Sequence, residues 1–244
     1  MSVLKTLSTT KRVLSQLRHD KRTIALIFVV PPVLLTILKY VFNGQSHVFN
    51  SIAPMLLGIF PMIMMFLISS IVTLRERSSG TLSRLMTMPI SKTDFIFGYA
   101  LAFSIIGLLQ AVIASGVMLG LLRVTVQGGA FQTLIVAVIA SFLGTSLGLF
   151  TSAFARSEFQ AIQFMPAFIF PQLLVCGIFV ARNDMAKPLQ WFANIMPLTY
   201  SVDAMKQITI TSHWSDVLTK DITIVLIFAI IALILGSTTI HRRD

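Results

Sequence analysis

The sequence predicts an all-α integral membrane protein, on three observations. Hydrophobic residues fill 55% of the 244 positions, charged residues only 11%, and mean hydropathy is +0.86. A water-soluble domain of this length needs far more polar surface, because large apolar patches in water drive association. Six stretches, 23–42, 52–74, 95–122, 131–154, 161–181 and 222–240, are apolar enough to span. Each has about the 20 residues that a hydrocarbon core of roughly 30 Å demands, and lipid-facing backbone must close its own hydrogen bonds. Within those stretches the one formal charge is Lys39. Six transmembrane helices are therefore expected.

Ahead of the first stretch, residues 1–22 carry six basic side chains against Asp20, with Val3, Leu4, Leu7, Leu14 and Leu17 on one broad helical side. This pattern predicts an amphipathic helix lying at the membrane interface, where Lys11 and Arg18 snorkel toward lipid headgroups. A secretory signal is the competing reading. The long basic region and a full-length span without a small-residue cleavage site favour retention. In the first stretch, Pro31-Pro32 removes two backbone donors and is expected to kink or break the helix.

Between the second and third stretches lies a polar segment, 75–94. Leu82, Leu85 and Met86 recur at helical spacing, Arg75, Arg77 and Arg84 supply charge, and Pro89 stops the helix. A short cytoplasmic coupling helix is expected. Ser91 followed by Asp94 matches a capping box at the start of the third stretch. The plain alternative is a solvated connector in which Glu76 and Arg77 pair with each other or with lipid headgroups.

The basic residues set the orientation. Thirteen of the 19 fall before the first stretch, between the second and third, between the fourth and fifth, and after the sixth. The other six, Lys39, Arg123, Arg182, Lys187, Lys206 and Lys220, fall on the opposite side. Both termini are expected to be cytoplasmic. The formal net charge of +10 thus reads as topology and not as a nucleic-acid surface.

The connection before the last stretch, 182–221, is unusual because 188–202 holds no charged side chain yet carries Trp191, Phe192, Ile195, Met196, Pro197 and Tyr200. Trp and Tyr favour the interface. An extracellular re-entrant helical hairpin is expected there, involving Pro188, Trp191, Pro197, Tyr200 and Asp203. Cys176 is the only cysteine and the four histidines are scattered, so neither a disulfide nor a metal site is expected. A phosphate-cradling G-x-x-x-x-G-K-[ST] motif does not occur, so any ATP-driven work needs another polypeptide.

Glu76-Arg77, Gly80-Thr81-Leu82, Leu85 and Pro89-Ile90-Ser91 resemble the coupling segment of ABC transporter type-2 permeases. Phe170-Pro171, Gly177-Ile178-Phe179, Pro188-Leu189-Gln190-Trp191 and Met196-Pro197-Leu198-Thr199-Tyr200 with Asp203 resemble their C-terminal signature. Met196 and Lys206 stand where that family usually has Asn and Arg. The resemblance covers nearly the whole chain and is closest to the daunorubicin-type branch, which exports drugs and lipids.

The resemblance implies a single transmembrane domain over 1–244: an interfacial helix over 1–22, a six-span bundle over 23–240 and a cytoplasmic tail over 241–244. It also implies that the coupling segment docks into a groove on a separate ATP-binding subunit, present in two copies. Leu82, Leu85 and Met86 would fill the groove, Glu76 and Arg77 would meet its rim, and Gly80 would allow close backbone approach, with Thr81 and Pro89 in the same segment. ATP and Mg would bind that partner, and this chain would carry no cofactor and form a homodimer. Spans two and five would face the second copy, placing Phe168 and Gln172 near a shared pathway. Met62, Met65, Phe66 and Phe164 would extend that soft apolar surface, although ordinary helix packing explains each of them as well. The function implied is export of a hydrophobic drug-like compound or lipid across a bacterial plasma membrane. The alternatives are export of a polysaccharide or lipid-linked polymer, an ion-coupled carrier, and a non-transporting scaffold.

Overall fold

The computed structural model describes residues 3–80 and 91–239, with only the backbone of Lys92. The expected coupling residues Thr81, Leu82, Leu85, Met86 and Pro89 lie outside the described residues. Those described are helical or irregular, without strands. In chain order the helices are α1 Val3–His19, α2 Lys21–Val41, α3 Ser46–Ser78, α4 Lys92–Gly116, α5 Gly129–Ser152, α6 Glu158–Val175, α7 Lys187–Ile195, α8 Pro197–Ile210 and α9 Asp216–Thr239. Five are long and apolar enough to cross a membrane: α2, α3, α4 with a π-helical continuation to Leu121, α5 and α9.

The sixth expected span is met only in part. Its helix, α6, has 18 residues, starts under an N-cap from Ser157 and stops at Val175 instead of continuing to 181. The stop is local: Gly177 adopts φ +89°, a left-handed conformation open mainly to glycine, and Lys206 Nζ donates to its carbonyl at 2.6 Å.

At the centre, α5 packs along α3 through glycine. A Cβ at Gly144 would stand 2.1 Å from Met62 O, and one at Gly148 would stand 2.4 Å from Phe66 O. Backbones can come this close only where a side chain is missing, which is the small-residue packing typical of membrane helices. Ser69 Oγ then donates to Thr145 O across the same contact at 3.2 Å. Around this pair, α4 and α9 flank α5 while α6 and α8 lie against α3.

The expected break at Pro31-Pro32 does not occur, and α2 runs unbroken through both. Proline at position 31 leaves the Ile27 carbonyl without its intrahelical donor, and Gln110 Nε2 of α4 donates to it at 3.1 Å. Lys39 likewise points inward to the bundle, donating to Leu122 O at 2.5 Å beyond the end of α4.

α1 docks by a different face from the one its leucines suggest. Thr6, Thr9, Thr10, Val13 and Leu17 are buried, whereas Val3, Leu4 and Leu7 are exposed. The reason is Gly98 of α4: a Cβ there would lie 2.6 Å from the Thr9 Cβ, and Thr10 Oγ1 donates to Gly98 O at 3.1 Å.

Candidate coupling site

The end of α3 nearest the 81–90 segment is tied down by three successive residues, each reaching a different element. Arg75 makes a two-pronged ion pair with Glu158 at the start of α6, at 2.7 and 3.0 Å. Glu76 accepts both guanidinium nitrogens of Arg12 on α1, at 2.8 and 2.9 Å. Arg77 donates to the carbonyls of Ala153, at 2.6 Å, and Ala155, just past the end of α5 where helix carbonyls are left unpaired.

The Glu76 connection is the buried one. Its side chain is only 4% exposed, against 33% for Arg12. Arg12 Nη2 also donates to the Tyr99 hydroxyl of α4 at 2.6 Å, and its guanidinium lies 5.7 Å from the Tyr99 ring centre. Burial pulls the guanidinium pKa down, but the hydrogen bonds and charge of Glu76 more than offset this and hold it above the ordinary arginine value. The bidentate geometry of the pair favours a fixed orientation. Arg75–Glu158 is a surface pair, half exposed on both sides.

Two features flank the 81–90 segment. Gly80 has φ +74° with nothing within 4 Å of where a Cβ would stand, so the glycine serves a turn at the end of α3. Ser91 and Asp94 form the expected capping box, Asp94 N donating to Ser91 Oγ at 3.1 Å and Ser91 N to Asp94 Oδ2 at 3.2 Å. Of the expected groove-contacting residues, Glu76 faces inward onto Arg12 and Tyr99 instead of outward.

The six expected pathway residues are not gathered on one surface. Met62, Met65 and Phe66 are fully buried inside the chain, Met65 in a cluster with residues of α4 and Met62 in one with residues of α5. Phe164 packs beside Leu74 and Ala155, and Phe168 is 41% exposed on α6. Gln172 is buried, its amide bonded to Phe168 O and accepting from Leu198 N.

α7 and α8 form the expected helical pair, opening with Pro188 and Pro197 in their first turns. Trp191 is exposed, the Tyr200 hydroxyl donates to Asn194 O at 2.6 Å, and Asp203 pairs with Arg182 at 2.7 Å. Arg12, Tyr99, Glu158 and Arg182 escaped the sequence reading as site residues. A search for acids at helix starts would have flagged Glu158, but nothing near Arg12, in the middle of α1 beside Lys11, or near Tyr99 marks them.

A model of the ABC-2 type transporter family matches residues 5–210, which includes every tie at the end of α3. The chain belongs to that family. This permease is 26% identical over 205 residues to "ABC transporter G family member 20" of Dictyostelium discoideum, covering 83% of the chain and 28% of that protein. Over 166 residues it is 24% identical to "Probable multidrug ABC transporter permease YbhR" of Escherichia coli K12, covering 68% of the chain and 45% of that protein. "Probable multidrug ABC transporter permease YbhS" of the same strain is 20% identical over 206 residues, covering 84% and 55%. The permease thus spans between about a quarter and somewhat over half of the length of these relatives.

Proposed function

We propose that the permease is the membrane subunit of an ATP-driven exporter that moves a hydrophobic drug-like compound or lipid out of the cell. The daunorubicin-type branch fits best, because the quoted motifs lie closest to it and two relatives are named as multidrug permeases. On this reading two permease copies work with two ATP-binding subunits, which bind ATP and Mg. The permease sits in a bacterial plasma membrane with α6 as a sixth span, the α7–α8 pair at the outer interface and both termini in the cytoplasm.

The observation that carries the reading is the triple tie at 75–77. A helix used only to connect spans needs no anchoring at its end, whereas a push delivered at 81–90 needs a rigid path into the bundle. Arg75, Glu76 and Arg77 supply one to α6, α1 with α4, and the end of α5. Glu76 then serves as an internal strut, and Leu82, Leu85 and Met86 remain the residues that fill the partner's groove.

The test replaces Leu82 and Leu85 together by Asp. Each charge forced into an apolar contact costs several kcal/mol, so the ATP-binding subunit should no longer copurify while the permease still inserts and behaves as wild type on size exclusion. Retained copurification with normal substrate-stimulated ATP turnover would remove this segment as the transmission.

A further inference from the structure

Between the α7–α8 pair and the last helix lies a cluster of four charges that the transport reading leaves unused. Arg182 Nη2 pairs with Asp203 Oδ2 of α8 at 2.7 Å, and its other terminal nitrogen reaches Asn194 Oδ1 of α7 at 3.4 Å. Lys206, one turn beyond Asp203, is committed to the Gly177 carbonyl. Asp221 of α9 lies within charge–charge reach of Arg182, Asp203 and Lys220. Its residue is 5% exposed and, among the described residues, its Oδ2 has no hydrogen-bond partner.

An ionised carboxylate oxygen buried without a donor is costly, and two things nearby relieve it most. One is a proton. The other is Arg182, whose guanidinium has five donors and can serve a second acid only by loosening its hold on the first. Among the described residues the other cations compete weakly: Lys206 is engaged with Gly177, and Lys220, also within charge–charge reach of Asp221, is exposed, where water screens its pull. The helices against α9 are α5, α8 and α4. α5 contributes no ionisable side chain, and α8 contributes Asp203, Lys206 and Tyr200, the last bonded to Asn194 O. α4 carries Asp94 and Tyr99 in its first two turns, and Tyr99 shares a cluster with Leu233, roughly 18 Å further along α9 than Asp221.

We propose that Asp221 is a proton-binding site that governs Arg182. With Asp221 protonated, Arg182 belongs wholly to Asp203 and clamps the 176–186 segment onto α8. With Asp221 ionised, Arg182 is drawn toward α9 and the segment loosens. The device makes the junction between the α7–α8 pair and the last helix sensitive to pH on the outer side, tight in acid and loose in alkali. Only the naming of that side rests on the topology proposed above.

The chain carries its own reporter. Cys176, the only cysteine, is fully buried at the start of the clamped segment, its Sγ 3.1 Å from Leu173 O. Maleimide labelling of the full-length permease in detergent, from about pH 5 to about pH 8, reads its exposure on either side of neutrality. Thiolate chemistry alone speeds labelling as pH rises, so the quantity to follow is the ratio of wild type to Asp221→Asn at each pH, in which that effect cancels.

The ratio should climb several-fold with pH, because Asp221→Asn stays clamped throughout. Arg182→Gln should label fast at every pH, so the ratio of wild type to Arg182→Gln should start low in acid and approach one in alkali. This second ratio stands on its own where Asp221→Asn does not elute as wild type on size exclusion. A flat ratio in the interpretable pair, or Arg182→Gln protected like wild type, would overturn the proposal. Both ends of the bundle share one buffer in detergent, so a misassigned topology leaves the result standing.

Discussion

Glu76 and Arg12 are the residue pair on which the end of α3 turns. A buried acid that loses its paired cation is left as an uncompensated charge, which costs more than the pair contributes while intact. Arg12→Leu should therefore lower thermal stability in detergent by about 2–4 kcal/mol, toward the lower end because Arg12 is one-third exposed. Adding Glu76→Gln should recover part of that loss, since it removes the stranded charge. An unrecovered double variant would show that the guanidinium matters through Tyr99 alone. The exposed Arg75–Glu158 pair provides the contrast, and Glu158→Gln should change stability by no more than about 1 kcal/mol.

At the level of helices, one close approach, one open glycine and one cap make separable predictions. Gly144→Ala pushes a methyl group into the Met62 carbonyl, and such overpacking should cost about 1–3 kcal/mol. Gly116→Ala, with nothing within 4 Å, should be neutral or slightly stabilising because alanine is the better helix former. Equal effects of the two in a thermal melt would contradict the α3–α5 contact. Asp20 caps α2, its carboxylate accepting from the Thr23 hydroxyl at 2.6 Å and the Thr23 amide at 3.1 Å. The hydroxyl bond is the main reason its pKa lies below the ordinary aspartate value. The stabilisation is therefore present above the unfolded pKa of about 3.9 and is lost as pH falls through the lower folded value. Asp20→Ala should cost about 1 kcal/mol at neutral pH, and its difference from wild type should vanish in strong acid.

For the whole molecule, the thirteen-to-six division of basic residues predicts sidedness. Reporters fused at Asp20 and Lys92 should report cytoplasm, and reporters within 43–51 or 182–187 should report the outside. Those last positions also decide the role of α6, because a segment at 182–187 on the outer face requires α6 to cross. Its 18 residues reach about 27 Å, close to the thickness of the hydrocarbon core. A cytoplasmic signal at 182–187 would leave five spans and refute the six-span arrangement.

Local spacing determined much of this protein. The apolar runs fix α2, α3, α4, α5 and α9, the Ser91–Asp94 spacing fixes the cap of α4, and Pro188 and Pro197 fix the starts of α7 and α8. Each of these is settled within one or two helical turns, so neighbouring residues carry the whole cause. Tertiary structure alone decided which faces meet. Arg12 finds Glu76 from 64 residues away, Gln110 of α4 fills the gap left by Pro31, and α1 docks by its threonines because Gly98 leaves room for them. In a membrane the sequence hides such choices for a physical reason: lipid tails are as apolar as leucine, so a hydrophobic stripe does not say whether it faces protein or lipid. The faces are instead selected by small residues and stranded polar groups, whose partners lie on other helices.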